Sequence, residues 1–362
     1  MIEIFISYFG VLALFSLLVS LKPWQKDLLF YIGLVALIVF DGLRWETGTD
    51  WQNYHDGFID FDGSIPGFEI GFNIYLGIFR TLTSNYSIFL LVTTAFVYFN
   101  ILRSIYLLTN RSILSILFVI GFLPWYSGAL RQMMALAFFT LGVTQLLSGK
   151  KRNFYFLMGV ASTFHLTSLP FIFLPYFHGI SIFVVIIILL ILIGFVSLFS
   201  SYFILLNTIF SVLSENKAID DRLISSVENS NFILGFIRKI INIVVPLYLY
   251  LKIRVKVKGL NVKDEKNLAF LINCTLISAF FYVIGTFYIE HVSSRLDIYV
   301  GIVLYSILIG YLEGRLNKNF KYLLFIFVLF LIFVNYSRLQ YIDLFHPYKS
   351  IFYNNDYIRN LY

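Results

Sequence analysis

The feature that most constrains this chain is the recurrence, from one end to the other, of apolar runs long enough to cross a lipid bilayer. The first is Ile2 to Leu21, and comparable runs follow throughout. Backbone polar groups inside lipid must be paired within the protein, which leaves helices or a closed barrel. The runs are continuous rather than alternating, so a barrel is excluded. The fold class is therefore all-α: a polytopic integral membrane protein. Only 13% of residues are charged, about half the share in a soluble domain, so the net charge of +7 is read as topology rather than as nucleic-acid binding.

The hydropathy pattern predicts about twelve transmembrane helices, with eleven to thirteen as the range, in one transmembrane domain over 1–362. They fall near 2–21, 28–43, 86–107, 112–126, 130–148, 154–176, 180–196, 198–213, 232–251, 268–288, 296–313 and 322–337. The architecture is compatible with a GT-C-like arrangement. The stretch 67–82 is apolar but short and carries Glu69 and Arg80, which predicts a re-entrant or interfacial helix. No cleavable leader pattern opens the chain, so the first run is expected to stay as a span.

Loops rich in Lys and Arg stay on the cytoplasmic side. Alternate loops, including the basic stretch 252–267, hold 16 of the 27 basic residues and are expected inside. The other side then receives the loop 44–85, the loop 214–231 and the tail 338–362, with both termini outside.

That outer side collects cations where topology disfavours them. Arg44 ends the second span, Arg131 opens the fifth, and His291 and Arg295 lie between the tenth and eleventh. Charges at span ends are costly and point to function. Arginine's planar fork suits phosphate oxygens, so Arg44, Arg131 and Arg295 are candidate ligands of a diphosphate. The plain alternative is that each snorkels to headgroups or pairs with a nearby carboxylate.

Asp50 stands in "GTDWQNY", where Gly48 permits a bend and a following helix would set Asp50 and Tyr54 on one face. Asp50 is a candidate general base or orienting group, or simply a helix N-cap. His165 lies within the apolar run "ASTFHLTSLPF" and is the second candidate base, or a satisfied core histidine. His291, Arg295 and Tyr299 follow an i, i+4, i+8 stripe. Trp45, Trp51, Tyr54 and Trp125 offer faces on which sugars could stack. Glu46, His55 and Asp56 read as solvated loop.

No nucleotide-binding loop, zinc-helix motif or serine elbow occurs. The lone Cys274 excludes an intramolecular disulfide framework. Neither a metal nor a cofactor is called for.

The polar residues line up with a known pattern. "LRWETGTDWQNY" resembles the R-x-x-x-G-x-D-x-x-x-Y signature of the Wzy-like, EpsG-type polysaccharide polymerases, with Arg44, Gly48, Asp50 and Tyr54 in place. "FEIGF" resembles the family's glutamate segment, with Glu69 and Gly71. "GALRQ" resembles its Arg-Gln helix start, with Arg131 and Gln132. "FHLTS" resembles its histidine segment, with His165 and Ser168; "SSRLDIY" its late Arg-x-x-x-Tyr helix, with Arg295 and Tyr299; and "FHPYKS" its terminal Pro-Tyr motif, with Pro347 and Tyr348. The matches are collinear, and no motif falls between about 177 and 290.

This resemblance implies an enzyme of O-antigen, capsule or exopolysaccharide assembly in the bacterial inner membrane, with its active site facing outward. Its substrates would be oligosaccharide repeat units on undecaprenyl diphosphate, as donor and acceptor. Membrane lipids, a chain-length regulator and a flippase are the implied partners. Tyr54, Glu69, Gln132, His291, Tyr299 and Tyr348 become candidate substrate contacts. An O-antigen ligase, or a flippase of lipid-linked sugars, is the alternative.

Overall fold

A computed structural model describes residues 22–48, 50–192, 241, 243–252, 262–288, 295–336 and 349–352. The expected spans 2–21 and 198–213, the outer loop 214–231, His291 and Tyr348 lie outside the described residues. The chain divides into two compact units, Met1–Ile172 with Ile309–Tyr362, and Phe173–Leu308.

The first unit begins with α1 (Pro23–Gly42). Pro23 sits at the first helical position, where a missing N–H costs nothing, and the Lys22 N–H donates to Gln25 Oε1 at 2.9 Å. Two short helices follow, α2 (Trp51–Ile59) and α3 (Ile70–Leu82). The long α4 (Tyr86–Leu108) starts at Asn85, whose side chain accepts from the N–H groups of Ser87 and Ile88. α5 (Ile113–Phe122) is capped in the same way by Ser112. α6 (Leu130–Leu147) and α7 (Lys151–Phe164) follow, and the helix Lys318–Tyr336, in the same unit, packs on α5.

α6 is the centre, packed on α7 and on α4, which also meets α1 and α5. Ala135, Leu136, Ala137, Phe139 and Val143 of α6 have no exposed surface. Lipid tails are as apolar as these side chains, so close van der Waals packing has to hold such helices together. Gly42 shows how: a Cβ there would lie 2.8 Å from Leu91 Cδ1 and 3.0 Å from the Leu91 Cα, so α1 and α4 approach closely because this position carries no side chain.

Four described helices are long and apolar enough to span: Pro23–Gly42, Tyr86–Leu108, Leu130–Leu147 and Arg295–Glu313. Shorter apolar helices include Ile182–Leu192, Ile243–Lys252 and Phe320–Phe333. This is a multi-pass, helical membrane protein.

The structure departs from the hydropathy reading in two places. The expected span 154–176 is not one helix. α7 stops at Phe164, His165 is extended (φ −160°, ψ 123°), and a 3-10 segment runs over Leu166–Phe173. Pro170 lies inside that segment, and an α-helix would leave its ring clashing with the preceding turn. The expected span 112–126 is α-helical only to Phe122 and tightens into a 3-10 turn, Leu123–Tyr126, around Pro124. The stretch 67–82, expected as a short helix rather than a span, is a separate helix of 13 residues, about 20 Å long and short of a hydrocarbon core of about 30 Å.

In the second unit, the helix Val262–Tyr288 packs on the π-helical stretch Ile298–Leu304. The Ser278 hydroxyl donates to Asp297 there. Tyr299 is fully buried.

Candidate active site

α3 starts unusually. Glu69 occupies the position before its first turn, with an extended backbone, yet its side chain makes no capping hydrogen bond. The carboxylate turns away from the helix and joins a guanidinium and an imidazole. Arg131 Nη1 donates to Glu69 Oε2 at 2.6 Å. His165 Nδ1 meets Glu69 Oε1 at 2.6 Å, and the Leu166 N–H reaches the same oxygen at 3.4 Å.

Three backbone features bring these groups together. Arg131 is in the first turn of α6. His165 sits where α7 breaks, which releases its ring from the helix surface. Gly71 lets α3 come against the end of α7, because a Cβ at that position would lie 2.8 Å from the Thr163 carbonyl oxygen. The break is itself held by Ser168, whose N–H and hydroxyl both donate to the His165 carbonyl.

Arg131 has a further set of acceptors. Nη1 donates to the Gly67 carbonyl at 2.8 Å, and Nε and the backbone N–H approach the Tyr54 hydroxyl at 3.4 Å. Its guanidinium lies 4.4 Å from the Phe68 ring centre, within cation–π range. Sequence reasoning missed the residue that shapes this loop. Asn73 accepts from the Ile65 N–H at 2.9 Å and donates to the Phe68 carbonyl at 3.0 Å, stapling 65–68 to α3. The available signal was an asparagine one helical turn beyond Glu69, following Pro66 and Gly67.

Burial alone would raise the Glu69 carboxyl. The hydrogen bond to His165, its own backbone amide and the charges of Arg131 and His165 outweigh that and bring it down to about 2. Glu69 is thus a carboxylate at any pH a cell meets. Ionised groups accept the shortest hydrogen bonds, and a carboxylate on Nδ1 fixes the imidazole with its proton there, leaving Nε2 with the lone pair. Burial likewise raises the Tyr54 phenol; Arg131 opposes the rise and Asp50 adds to it.

A pH prediction follows from the Glu69 value. It falls below the ordinary 4.5 to about 2, so ionised Glu69 favours the fold above about pH 4.5, and this contribution fades as the pH drops toward 2. Thermal unfolding in detergent should therefore show the Tm gap between wild type and Glu69→Gln narrowing steadily below about pH 4.5. A gap independent of pH would contradict a favoured carboxylate.

The other expected residues are placed differently. Arg44 is 2% exposed and is bound inside the protein: Nη1 to the Asp41 carbonyl (2.7 Å) and carboxylate (2.9 Å), and Nη2 to the Ser127 carbonyl (2.7 Å). It ties the end of α1 to the turn before α6. Asp50 sits just before α2 but makes no side-chain capping bond. Gln132 is buried beside Arg131. Arg295 and Tyr299 belong to the second unit. Glu46 is not mere solvated loop, since it pairs with Lys349 at 2.7 Å. His55 and Asp56 pair with each other, and His55 stacks on Trp51 with ring centres 4.8 Å apart. Among the described residues, no group of His, Cys, Asp and Glu is arranged to hold a metal ion.

The family model for the EpsG family matches residues 27–350. The chain belongs to the EpsG family. No curated protein and no solved structure matches it. The EpsG match runs from α1 through the cluster to the segment beyond Tyr348, so Tyr54, Glu69, Arg131 and His165 all fall within it. Membership in the EpsG family implies a glycosyltransferase-like polymerase of polysaccharide biosynthesis, acting on lipid-linked oligosaccharides in a membrane.

Proposed function

We propose that this protein joins oligosaccharide repeat units carried on a polyprenyl diphosphate, of the undecaprenyl class, at the outer leaflet of the bacterial cytoplasmic membrane. A hydroxyl of the acceptor unit attacks the anomeric carbon of the donor glycan. The bond from that carbon to the diphosphate oxygen breaks, and the lipid diphosphate leaves. The hydroxyl proton passes to His165 Nε2, the nitrogen that Glu69 leaves as acceptor.

The observation that carries this reading is the single carboxylate of Glu69 bridging an imidazole and a guanidinium, 2.6 Å from each. It supplies a proton acceptor of defined tautomer beside a cation suited to a phosphate oxygen. Arg131 keeps a fifth of its side chain exposed, and its bonds use Nε and Nη1. It is the arginine assigned to direct contact with the leaving diphosphate. Stabilising charge that develops in the transition state is commonly the largest catalytic contribution. Arg44, neutralised by the Asp41 carboxylate, shapes the turn before α6 in this reading. Asp50 acts on Tyr54 and is the alternative proton acceptor.

The test is the glycan made by a deletion strain complemented with wild type or with His165→Gln. Deletion should leave one repeat unit on its acceptor, and wild type should restore the ladder. His165→Gln should lower polymer yield by about 10²–10⁴-fold, the usual contribution of a general base, at normal membrane levels. A full ladder from His165→Gln would rule this base out. Single lipid-linked units that never reach the outer leaflet in the deletion strain would identify transport instead.

A further inference from the structure

Glu46 and Lys349 are 303 residues apart, yet Lys349 Nζ donates to Glu46 Oε2 at 2.7 Å. The Lys349 side chain is only 3% exposed. Around this pair the backbone forms a short antiparallel pairing. The Trp45 N–H donates to the Lys349 carbonyl and the Ile351 N–H to the Leu43 carbonyl, both at 3.0 Å, on either side of a bridge between Arg44 and Ser350. Among the described residues this is the one bridge. A two-strand pairing of this size is not stable by itself, and a lysine seldom loses its water unless it is paired.

The loop on the other side is under constraint. Glu46 has φ 44°, a region uncommon outside glycine, which persists only where surrounding contacts over-determine it. Arg44, in the same loop, donates to the Ser127 carbonyl, four residues before Arg131. Gly48, at φ 103°, lies so close to Gly128 that a Cβ would be 3.0 Å from its Cα. A continuous path thus runs from Lys349 through Glu46 and Arg44 to the turn that starts α6.

We infer that Lys349 is a positioning residue, and that 349–352 is a strap which fixes the loop 43–48 and, through Arg44 and Ser127, the first turn of α6 that carries Arg131. This rests on the polymerase reading above. The family match ends at Ser350, the residue that bridges to Arg44. Lys349 touches neither substrate nor reacting atoms in this scheme. It acts by holding Arg131 in register with Glu69.

The test uses the full chain with Cys274→Ala and a Ser350→Cys reporter, expressed in the deletion strain. Labelling by a membrane-impermeant maleimide reads the strap, and polymer yield per inserted protein reads the reaction. Glu46→Gln should speed labelling and lower the yield, each about tenfold, because the buried Lys349 ammonium loses its countercharge. Lys349→Met should do the same. Lys349→Arg, and the exchange Glu46→Lys with Lys349→Glu, should return both readouts toward the parent, a rescue that general loss of structure would not give. Faster labelling with full yield overturns the positioning role, and unchanged labelling overturns the strap. Labelling does not depend on which reaction occurs. A strain whose glycan is unaffected by deletion overturns the polymerase reading, and the positioning role with it, whatever the labelling shows.

Discussion

Glu69→Gln should reach the membrane in normal amount and lower polymer yield by about 10²–10⁴-fold, the range associated with general acid–base catalysis. Glutamine keeps the size and the hydrogen-bonding reach but removes the charge. Its amide group would present one oxygen and one NH₂ where two oxygens now serve Arg131 and His165. Whichever way the amide turns, one of those groups faces an NH₂ rather than an acceptor. If it is the imidazole, the other tautomer is favoured and Nε2 carries the proton. If it is Arg131, the guanidinium faces a donor and loses its acceptor. Glu69→Asp separates charge from reach. Aspartate is one methylene shorter and cannot serve both partners, and a misplacement of about 1 Å costs on the order of 10²-fold. Polymer ladders resolved on gels, normalised to membrane-inserted protein, measure both. Full chain lengths from Glu69→Gln would remove the bridging carboxylate from the mechanism.

Gly71→Ala should be nearly as damaging, although alanine adds one methyl and favours helix. Its Cβ would lie 2.3 Å from Thr163 Oγ1 and 2.8 Å from the Thr163 carbonyl oxygen. A hydroxyl can rotate away, but the backbone carbonyl cannot, so α3 has to retreat from α7. Overpacking of this kind costs about 1–3 kcal/mol, which leaves most of the protein folded. The retreat carries Glu69, two residues earlier, away from His165, and a loss of about 10²-fold in yield is expected from such a displacement. Truncation of the neighbour gives a control. Gly71→Ala combined with Thr163→Ala still has the carbonyl in the way and should recover little. Wild-type yield from Gly71→Ala alone would show that the spacing of these two helices does not matter.

Much of the helical pattern was legible because lipid imposes it. The helices 86–108, 130–147 and 295–313 match continuous apolar runs with polar residues at their ends, and Asn85 marks its start by a side-chain cap. The break at His165 was not legible from hydropathy. The residues after it are as apolar as those before it, and a sliding average sees one span. "FHLTSLP" held the signals, a serine able to return to the chain and a proline, but neither fixes a break without its surroundings. The pairing of Arg44 with Asp41 could have been anticipated from their i, i+3 spacing at the end of a helix. The meeting of Glu69, Arg131 and His165 could not be. These residues lie 62 and 96 positions apart, and no periodicity reports on such contacts. Resemblance to a family put them on one list of candidates; it did not say that one carboxylate would serve two of them. Lys349 escaped notice for the same reason, since a lysine near a chain terminus looks like solvent-facing charge until its partner is known.

The shared carboxylate bears on the order of events during a turnover. While His165 is neutral, Glu69 faces one full positive charge, that of Arg131. Once the imidazole has taken a proton, two full positive charges are bound to opposite oxygens of one group, well within a Debye length of each other. Their mutual repulsion then favours a guanidinium that leans outward, toward any new negative charge. In the proposed reaction that charge is the departing diphosphate, which forms in the same step. Proton acceptance and leaving-group capture would in this way be geared to one another through a single side chain, with no moving domain required to keep them in time.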